Sequence, residues 1–379
     1  MNLRHLRAVI AVVRHRSISA AARAVHLTQP AITQAIARLE RELGLRLFER
    51  EGSGIRPTDA ANVVVARAEA ALALVDSPRV TAAQMRAFLA VARGGGYSGA
   101  ASLTGLAPAS LHRAVGDLGV ALGQPLLEPR GRGVSLTPRG RLVARRFALA
   151  RAELDAMLDE LASLQGREVG RITIGAMPLA RARLLPAVMA RFHAGHPDFS
   201  VVVAEGSHAE LLAPLRDGEL DVLIGALRDL SLGADLAQRP LFEDRPVVVG
   251  RVGHPLSGAD PDLAALAGYP WTVAASGAPL RGLWERMFDE AGLPRPRVPV
   301  ECGSVITIRQ LLMQSDFLTL LSPDQVAAEL AAGWLAVICA APPSIRRTIG
   351  VTTRVSWTPT PLQRAFLGEL DRAVGRDHS

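Results

Sequence analysis

One segment of this chain occurs twice, and an internal repeat sets the architecture before any local pattern does. Residues 6–58 align without a gap onto residues 85–137, at a constant offset of 79 positions. Roughly a third of the aligned positions are identical. Arg7, Ala8, Ala11, Val12 and Arg14 recur as Arg86, Ala87, Ala90, Val91 and Arg93. Ser19, Ala21, Ala22 and Leu27 recur as Ser98, Ala100, Ala101 and Leu106. Leu39, Leu43, Gly44 and Leu47 recur as Leu118, Leu122, Gly123 and Leu126, and Gly52, Gly54 and Thr58 as Gly131, Gly133 and Thr137.

The repeated unit is helical at first. Leu3, Leu6, Val9, Ile10 and Val13 fall at helical spacing. Ser17 is placed to cap a second helix over 18–25. After a break at His26 and Leu27, Thr28 caps a third helix that carries Pro30 in its first turn, where a missing N–H costs little, and that stops at Gly44. Helix, short turn, helix is the helix-turn-helix pattern. The Gly-Ser-Gly at 52–54 marks a hairpin between short strands, a wing, and an alanine-rich helix follows over 59–75. The second copy repeats this plan and ends in a longer helix over 138–164, closed by Gly166. On that helix Leu142, Val143, Leu149, Leu154, Met157, Leu158 and Leu161 form a stripe that predicts a partner helix. After Gly170, apolar runs at 172–174, 201–203, 222–224, 247–249, 271–273 and 317–321 alternate with helical stretches, which predicts an α/β domain with a largely parallel sheet.

A chain of 379 residues has room for two or three domains with real cores. No apolar stretch is long enough to span a bilayer and no secretory signal opens the sequence, so the cytoplasm is the expected compartment and no membrane partner is expected. The two cysteines, Cys302 and Cys339, make neither a disulfide framework nor a zinc cluster. No metal or cofactor is expected. The charge is uneven. Residues 1–169 hold 23 Arg against 14 acids, and residues 170–379 hold 20 Arg against 22 acids. A basic first part on a near-neutral remainder points to a polyanion partner for the first part alone. Every basic charge is an Arg. Codon bias in a GC-rich genome accounts for the missing lysine, but Arg still meets phosphate with a planar fork.

In the third helix, Ile32, Ala35, Ile36 and Leu39 share one face and belong in the core. Gln29, Pro30, Thr33, Gln34 and Arg38 lie elsewhere and point outward. The first turn of a recognition helix is the part that reaches base edges. The Gln29 amide suits adenine, while Ala31 or the Thr33 methyl suits a thymine methyl. Arg50 and Arg56 flank the wing and suit phosphates.

These residues resemble a known family. The segments Asn2-Leu3-Arg4-His5-Leu6, Ser19-Ala20-Ala21-Ala22, Leu27-Thr28-Gln29-Pro30-Ala31-Ile32-Thr33, Leu43-Gly44 and Leu47-Phe48-Glu49-Arg50 are similar to the winged helix of LysR-type transcriptional regulators. The resemblance implies that residues 28–34 read bases and that the wing over 48–58 touches the DNA backbone. A member of this family normally has one winged helix, one linker helix and one effector domain, so residues 80–379 already make up such a protein and residues 1–79 are an added module. The expected division is a first winged helix over 1–60, a connecting helix over 61–79, a second, degenerate winged helix over 80–139, a linker helix over 140–166 and an effector domain over 167–379. That last domain has two subdomains like a periplasmic solute-binding protein, about 170–250 with 346–379, and about 251–345.

The two copies differ where reading would happen. The buried face survives as Leu111, Ala114, Val115 and Leu118, but Thr28-Gln29-Pro30-Ala31 becomes Ala107-Pro108-Ala109-Ser110, and Arg38 becomes Asp117. Arg113, Arg130, Arg132 and Arg139 keep the copy basic. Module one is expected to read sequence, and module two to support dimer geometry and contact the backbone; a structural remnant is the other reading of module two.

From Gly170 onward, Gly170-Arg171-Ile172-Thr173-Ile174-Gly175, His196-Pro197, Gly218-Glu219-Leu220-Asp221 and His254-Pro255-Leu256 are similar to LysR-type effector domains. Tyr269-Pro270-Trp271, Gly277-Ala278-Pro279-Leu280-Arg281 and Pro178 resemble the subgroup that regulates sugar uptake and aromatic-acid catabolism. In such folds ligands bind at the carboxyl ends of strands. That implies a pocket of Met177, Pro178, Leu179, Gly225, Ala226, Ser276, Leu280, Arg281, Gly303, Ser304 and Val305. Ser276, Ser304 and helix-terminal N–H groups would hold a carboxylate, with Arg281 adding a salt bridge. His254 is expected to be a turn residue.

The implied protein is a one-component regulator. Its partners are promoter or operator DNA, a small-molecule effector (a sugar or an aromatic-catabolism acid), a second copy or three in a homodimer or homotetramer, and RNA polymerase. An enzyme would need a nucleophile with a base, or metal ligands. The chain has no Gly-x-Ser-x-Gly elbow, no phosphate loop and no His/Cys cluster, and Cys302 is expected to be a small apolar residue. The alternative is an architectural DNA binder without effector sensing.

Overall fold

The computed structural model describes residues 1–51, 54–131, 133–228 and 233–377. They divide into two compact units, residues 1–170 with 217–219 and residues 171–216 with 220–379.

The first unit is built from local signals. Asn2 accepts from the Arg4 N–H and opens helix α1 (Leu3–His15), which buries Leu3, Leu6, Val9 and Val12. Arg16, at φ 49°, ends it, and Ser17 caps α2 (Ile18–Ala24). Thr28 accepts from the Ala31 N–H at the start of α3 (Gln29–Leu43), and Gly44 closes that helix at φ 67°. Only a residue without Cβ takes that left-handed turn at no steric cost. Strands β1 (Phe48–Glu51) and β2 (Gly54–Pro57) pair antiparallel as the wing, with Phe48 opposite Pro57. Thr58 then caps α4 (Asp59–Val75).

The second copy follows as α5 (Ala82–Arg93), α6 (Tyr97–Thr104), α7 (Pro108–Leu122), β3 (Leu127–Arg130), β4 (Gly133–Leu136) and α8 (Pro138–Leu164). Both ends of α3 and α7, all four wing strands and the starts of α4 and α8 differ by the same 79 positions as the sequence repeat. One hydrophobic core runs through both copies. It includes an edge-to-face pair, Phe88 on Phe147, with ring centroids 6.2 Å apart.

The stripe on α8 needs correction. Val143, Leu154, Met157 and Leu161 are buried, but Leu149 is half-buried and Leu142 and Leu158 are exposed, while Gly140, Phe147, Ala150 and Ala162 are buried as well. The spacing of 143, 147, 150, 154, 157 and 161 alternates four and three, the seam of a coiled coil, which is narrower than a general amphipathic face. The helix it meets is α4 of the same chain.

The second unit is α/β, in two lobes. A five-stranded sheet has the order β6-β5-β7-β14-β8: β5 (Gly170–Ala176), β6 (Phe199–Glu205), β7 (Val222–Ala226), β8 (Leu236–Asp244) and β14 (Arg347–Arg354). Helices α9 (Pro178–Ala182), α10 (Leu184–Gly195) and α11 (His208–Arg216) connect its early strands, and α16 (Pro361–Asp377) packs on α10. The other lobe has a three-stranded sheet, β12-β9-β13, from β9 (Val247–Arg251), β12 (Thr319–Leu321) and β13 (Leu335–Ala340). A parallel pair, β10 (Thr272–Val273) with β11 (Val300–Glu301), lies beside α12 (Leu263–Ala267), α13 (Pro279–Glu290), α14 (Val305–Met313) and α15 (Ala327–Ala331) in chain order. The chain crosses between lobes twice, from β8 to β9 and from β13 to β14.

The sheets are less parallel than the pattern predicts. β5 and β7 pair parallel, but β14 runs antiparallel to both neighbours, and all pairs in the three-stranded sheet are antiparallel. The returning strands β8 and β14 carry polar residues on one face, so no apolar run announces them.

Candidate nucleic-acid interface and ligand cleft

On α3, Ile32, Ile36 and Leu39 are buried and Ala35 is half-buried, while Gln29, Pro30, Thr33, Gln34 and Arg38 are exposed. Ala31 is half-buried and Thr28 is exposed at the cap. The Gln29 amide donates to Ser19 Oγ at 2.6 Å, which fixes it against the helix that crosses before α3. Thr33 Oγ1 donates to the Gln29 carbonyl at 3.0 Å. With its hydroxyl turned back onto the helix, Thr33 offers its methyl as the outward group, which suits a thymine methyl. Arg56 is exposed on the wing. The Arg50 side chain and Arg132, expected at the two wings, lie outside the described residues.

α7 has the same burial pattern, with Leu111, Val115 and Leu118 inside and Pro108, His112, Arg113 and Asp117 outside. Its outward chemistry differs. Ala107 provides no side-chain cap. Asp117 is exposed in the place of Arg38, a carboxylate where α3 has a guanidinium. His112 stands where Thr33 does and stacks on Tyr97, with ring centroids 5.1 Å apart. Arg113, Arg130 and Arg139 are all exposed.

In the second unit a cavity of about 740 Å³ lies at the carboxyl ends of β5, β7, β10 and β11. Of the residues expected there, Met177, Pro178, Leu179, Ala226, Ser276, Leu280 and Gly303 line it. Four do not. Gly225 lies behind the wall, where a Cβ would stand 2.0 Å from Met177 Cε. Ser304 caps α14 by accepting from the Thr307 N–H, and Val305 packs into a core cluster with Leu312 and Leu321. Arg281 is held by Glu285 at 2.7 Å and Glu301 at 2.9 Å, with its guanidinium over the Trp284 ring. The i+4 carboxylate of Glu285 was visible in the sequence and competes for this arginine. Tyr269 and Trp271 pack in the core of the second lobe and do not line the cavity. His254 is buried in a turn, with its Nδ1 accepting from the Leu256 N–H.

Polar groups of the lining come from residues that no local pattern announced. Arg347 keeps 12% of its side chain exposed and donates from Nε to the Asp244 carboxylate at 2.7 Å. Its Nη2 has no partner. Burial pulls this guanidinium below its ordinary pKa, and Asp244 opposes that pull. Thr319 Oγ1, His208 Nε2 and Arg228 Nε are likewise buried without a hydrogen-bond partner. Burial, with Arg228 and Arg216 nearby, pushes the His208 imidazole below its ordinary pKa. Among the described residues, eight buried side-chain polar atoms lack a partner, and these four all belong to residues lining one cavity. Buried donors are normally satisfied, and these four atoms stand behind the cavity surface, with almost no accessible area of their own. Arg181, also in the lining, is neutralised by Glu205. Among the described residues no group of His, Cys, Asp and Glu is placed to hold a metal ion, and no helix is long and apolar enough to cross a membrane.

Comparison with known proteins covers both parts of the chain. The model of the bacterial regulatory helix-turn-helix protein of the lysR family matches residues 3–62 and again 82–141. The LysR substrate binding domain matches residues 165–375. The chain is 32% identical to the HTH-type transcriptional regulator GalR of Pseudomonas putida, over 98% of this chain and 97% of that one. It is 33% identical to the SDS degradation transcriptional activation protein of a Pseudomonas species, over 75% of this chain and 94% of that one. A full-length OxyR variant from Pseudomonas aeruginosa shares the fold at a TM-score of 0.55 and 21% identity, covering 77% of this chain and 96% of its own. CbnR, a LysR family transcriptional regulator, does so at a TM-score of 0.53 and 19% identity, covering 77% and 98%. These relatives are transcriptional regulators and not enzymes. The chain belongs to the LysR family of DNA-binding transcriptional regulators, with a helix-turn-helix part followed by a two-subdomain α/β effector-binding domain.

Proposed function

We propose that the duplicated winged helix divides its labour. The first copy reads base sequence through Gln29, Ala31, Thr33 and Gln34, with Thr28 and Pro30 opening the helix and Arg38, Arg50 and Arg56 on phosphates. The second copy grips the backbone through Arg113, Arg130, Arg132 and Arg139. The observation that carries this is the contrast between two helices of identical register and burial. One presents an amide, a methyl and a guanidinium, and the other a proline, a histidine stacked on Tyr97 and a carboxylate. Such a regulator works in the cytoplasm as a homodimer or homotetramer beside RNA polymerase. Quantitative binding to operator variants tests the division. Gln29→Ala should lose discrimination at one or two base pairs, whereas Arg130→Ala with Arg132→Ala should weaken every sequence alike. Intact discrimination in Gln29→Ala would overturn the assignment.

The effector is an organic acid, with an aromatic-catabolism acid favoured over a sugar. A sugar is uncharged and its hydroxyls both donate and accept, whereas the lining carries the guanidinium groups of Arg347 and Arg228, which only donate, beside His208 and Thr319, which are able to. A carboxylate is acceptor-only and matches them. Met177, Pro178, Leu179 and Leu280 supply an apolar wall for a ring. Calorimetry with benzoate, benzamide and glucose tests this. Benzoate should bind, with benzamide at least tenfold weaker and glucose not measurable. Equal binding of the acid and its amide, or binding of glucose alone, would sink the acid assignment.

A further inference from the structure

Helices α4 and α8 bury the same face against each other. The repeat offset of 79 carries Ala61, Val64, Ala68, Ala71 and Val75 onto Gly140, Val143, Phe147, Ala150 and Leu154, and every one of the ten is buried. The helices run antiparallel. Arg67, midway along α4, bonds to Glu153 at 2.8 Å and to Glu160 at 3.2 Å, while Arg146, earlier on α8, donates to the Leu74 carbonyl at 2.9 Å and pairs with Asp76 at 3.1 Å. These contacts are images of one another. Arg146 is Arg67 moved by 79, and Glu153 is Leu74 moved by 79, so each arginine reaches the equivalent position on the opposite helix. A contact that maps onto itself when the partners are exchanged is isologous, the signature of a two-fold axis. That axis passes beside Ala71 and Ala150, where both side chains are fully buried. Asymmetric residues fix the choice of partner. Arg67 is 5% exposed and finds its two carboxylates on α8; an α4–α4 pairing would set it against Leu74.

Each of these helices starts directly after a wing, so the two winged helices lie at opposite ends of the antiparallel pair. In the observed register Pro138 is level with a point about 23 residues beyond Asp59, or about 35 Å at 1.5 Å per residue. That offset between the two helix starts is of the same order as the roughly 34–36 Å, one turn of B-DNA, that separates half-sites read by two-fold-related recognition helices.

We propose that the first 170 residues are a two-fold DNA clamp made from a single chain. α3 and α7 enter successive major grooves on one side of the duplex, α3 reading bases and α7 resting on phosphates. A half-site pair that would otherwise need two polypeptides is held by one. This rests on the reading of α3 as the base reader, and the test separates the two. In the full chain with Cys302→Ser and Cys339→Ser, Ala37→Cys or Gly116→Cys, equivalent exposed positions on α3 and α7, is labelled with iron-EDTA and bound to an operator duplex. The clamp requires localised cleavage from both, with centres about 10 base pairs apart. Localised cleavage from Ala37→Cys without a centre one turn away from Gly116→Cys overturns the clamp alone. No localised cleavage from Ala37→Cys overturns the base-reading itself, and the clamp with it.

Discussion

Helices α3 and α7 have the same length, the same closing glycine in the left-handed turn and the same inward positions, yet only α3 carries the amide, methyl and guanidinium proposed to meet DNA. Gly44 and Gly123 both sit at φ 67°. Positions 32, 36 and 39 stay apolar as 111, 115 and 118, because each faces a core that a polar group would disrupt. Positions 29, 33 and 38 face solvent, where a substitution costs folding little. The comparison separates two demands that one winged helix normally carries together. Core positions hold the module in place, and exposed positions make it a reader. α7 meets the first demand, and in the proposed division of labour the arginines around it keep part of the second.

The largest expected effect tests whether the two copies are held as a pair. Burial opposes the charge on Arg67, but the bonds to Glu160 and Glu153 outweigh it and hold the guanidinium above its ordinary pKa. Arg67→Ala would leave two carboxylates with little exposure and no counter-charge, a loss of about 3–5 kcal/mol. All four tryptophans lie in the α/β unit. In urea, the helical circular-dichroism transition should therefore move to lower denaturant while the tryptophan transition stays. Adding Glu153→Gln and Glu160→Gln should recover much of the shift. A variant with both transitions unchanged would mean that the copies do not depend on this contact.

This coupling is also where the sequence is least legible. The limits of α3 and α7 follow from local signals, namely Thr28, Pro30 and Gly44 in one, and Pro108 and Gly123 in the other. Periodicity shows that α8 needs a partner but not which one, because pairing across some eighty residues leaves no local trace. Arg67, in an alanine-rich helix, looks like a solvated charge until α8 is laid against it. The cleft behaves the same way. Met177, Pro178, Leu179 and Ser276 follow from strand ends. Arg347, Thr319 and His208 are brought to the cavity by segments far apart in the chain, and Arg281 is drawn away by Glu285 and Glu301.

The next effect in size concerns the reading face. Gln29→Ala should cost about 1–3 kcal/mol of discrimination at its base pair, measured as the ratio of affinities for the cognate and single-mismatch duplexes. Ser110→Ala in α7 should leave that ratio unchanged. Transplanting the surface is the sharper version. Ala107→Thr, Pro108→Gln, Ala109→Pro, Ser110→Ala and Asp117→Arg together should turn the sites selected from a random pool into inverted repeats. Selected sites that remain one-sided would show that α7 is not aimed at bases.

A smaller effect tests the backbone role of the second copy. Arg113→Ala with Arg130→Ala should lower the slope of log affinity against log salt by about 1.8 if each side chain neutralises one phosphate. The loss should be the same for cognate and unrelated duplexes. An unchanged slope would leave the second copy as a scaffold only.

The smallest effect isolates folding from reading within α7. Gly116 replaces Ala37 in the middle of the helix, is exposed, and has nothing within 4 Å of where a Cβ would stand. Gly116→Ala should therefore stabilise α7 by about 0.5–1 kcal/mol, since alanine gives up less backbone freedom on folding and nothing obstructs it. Amide hydrogen exchange along α7 measures this directly, and protection there should rise about twofold to fivefold. The matching control is Gly123→Ala, which forces a side chain into a φ of 67° and should lower protection in the same amides. DNA affinity should stay level in Gly116→Ala, because the substitution adds a methyl and no charge or hydrogen-bonding group. If protection rises and affinity holds, the defect in α7 is one of chemistry at its surface; if affinity rises with protection, the weak helix itself was limiting the grip on DNA.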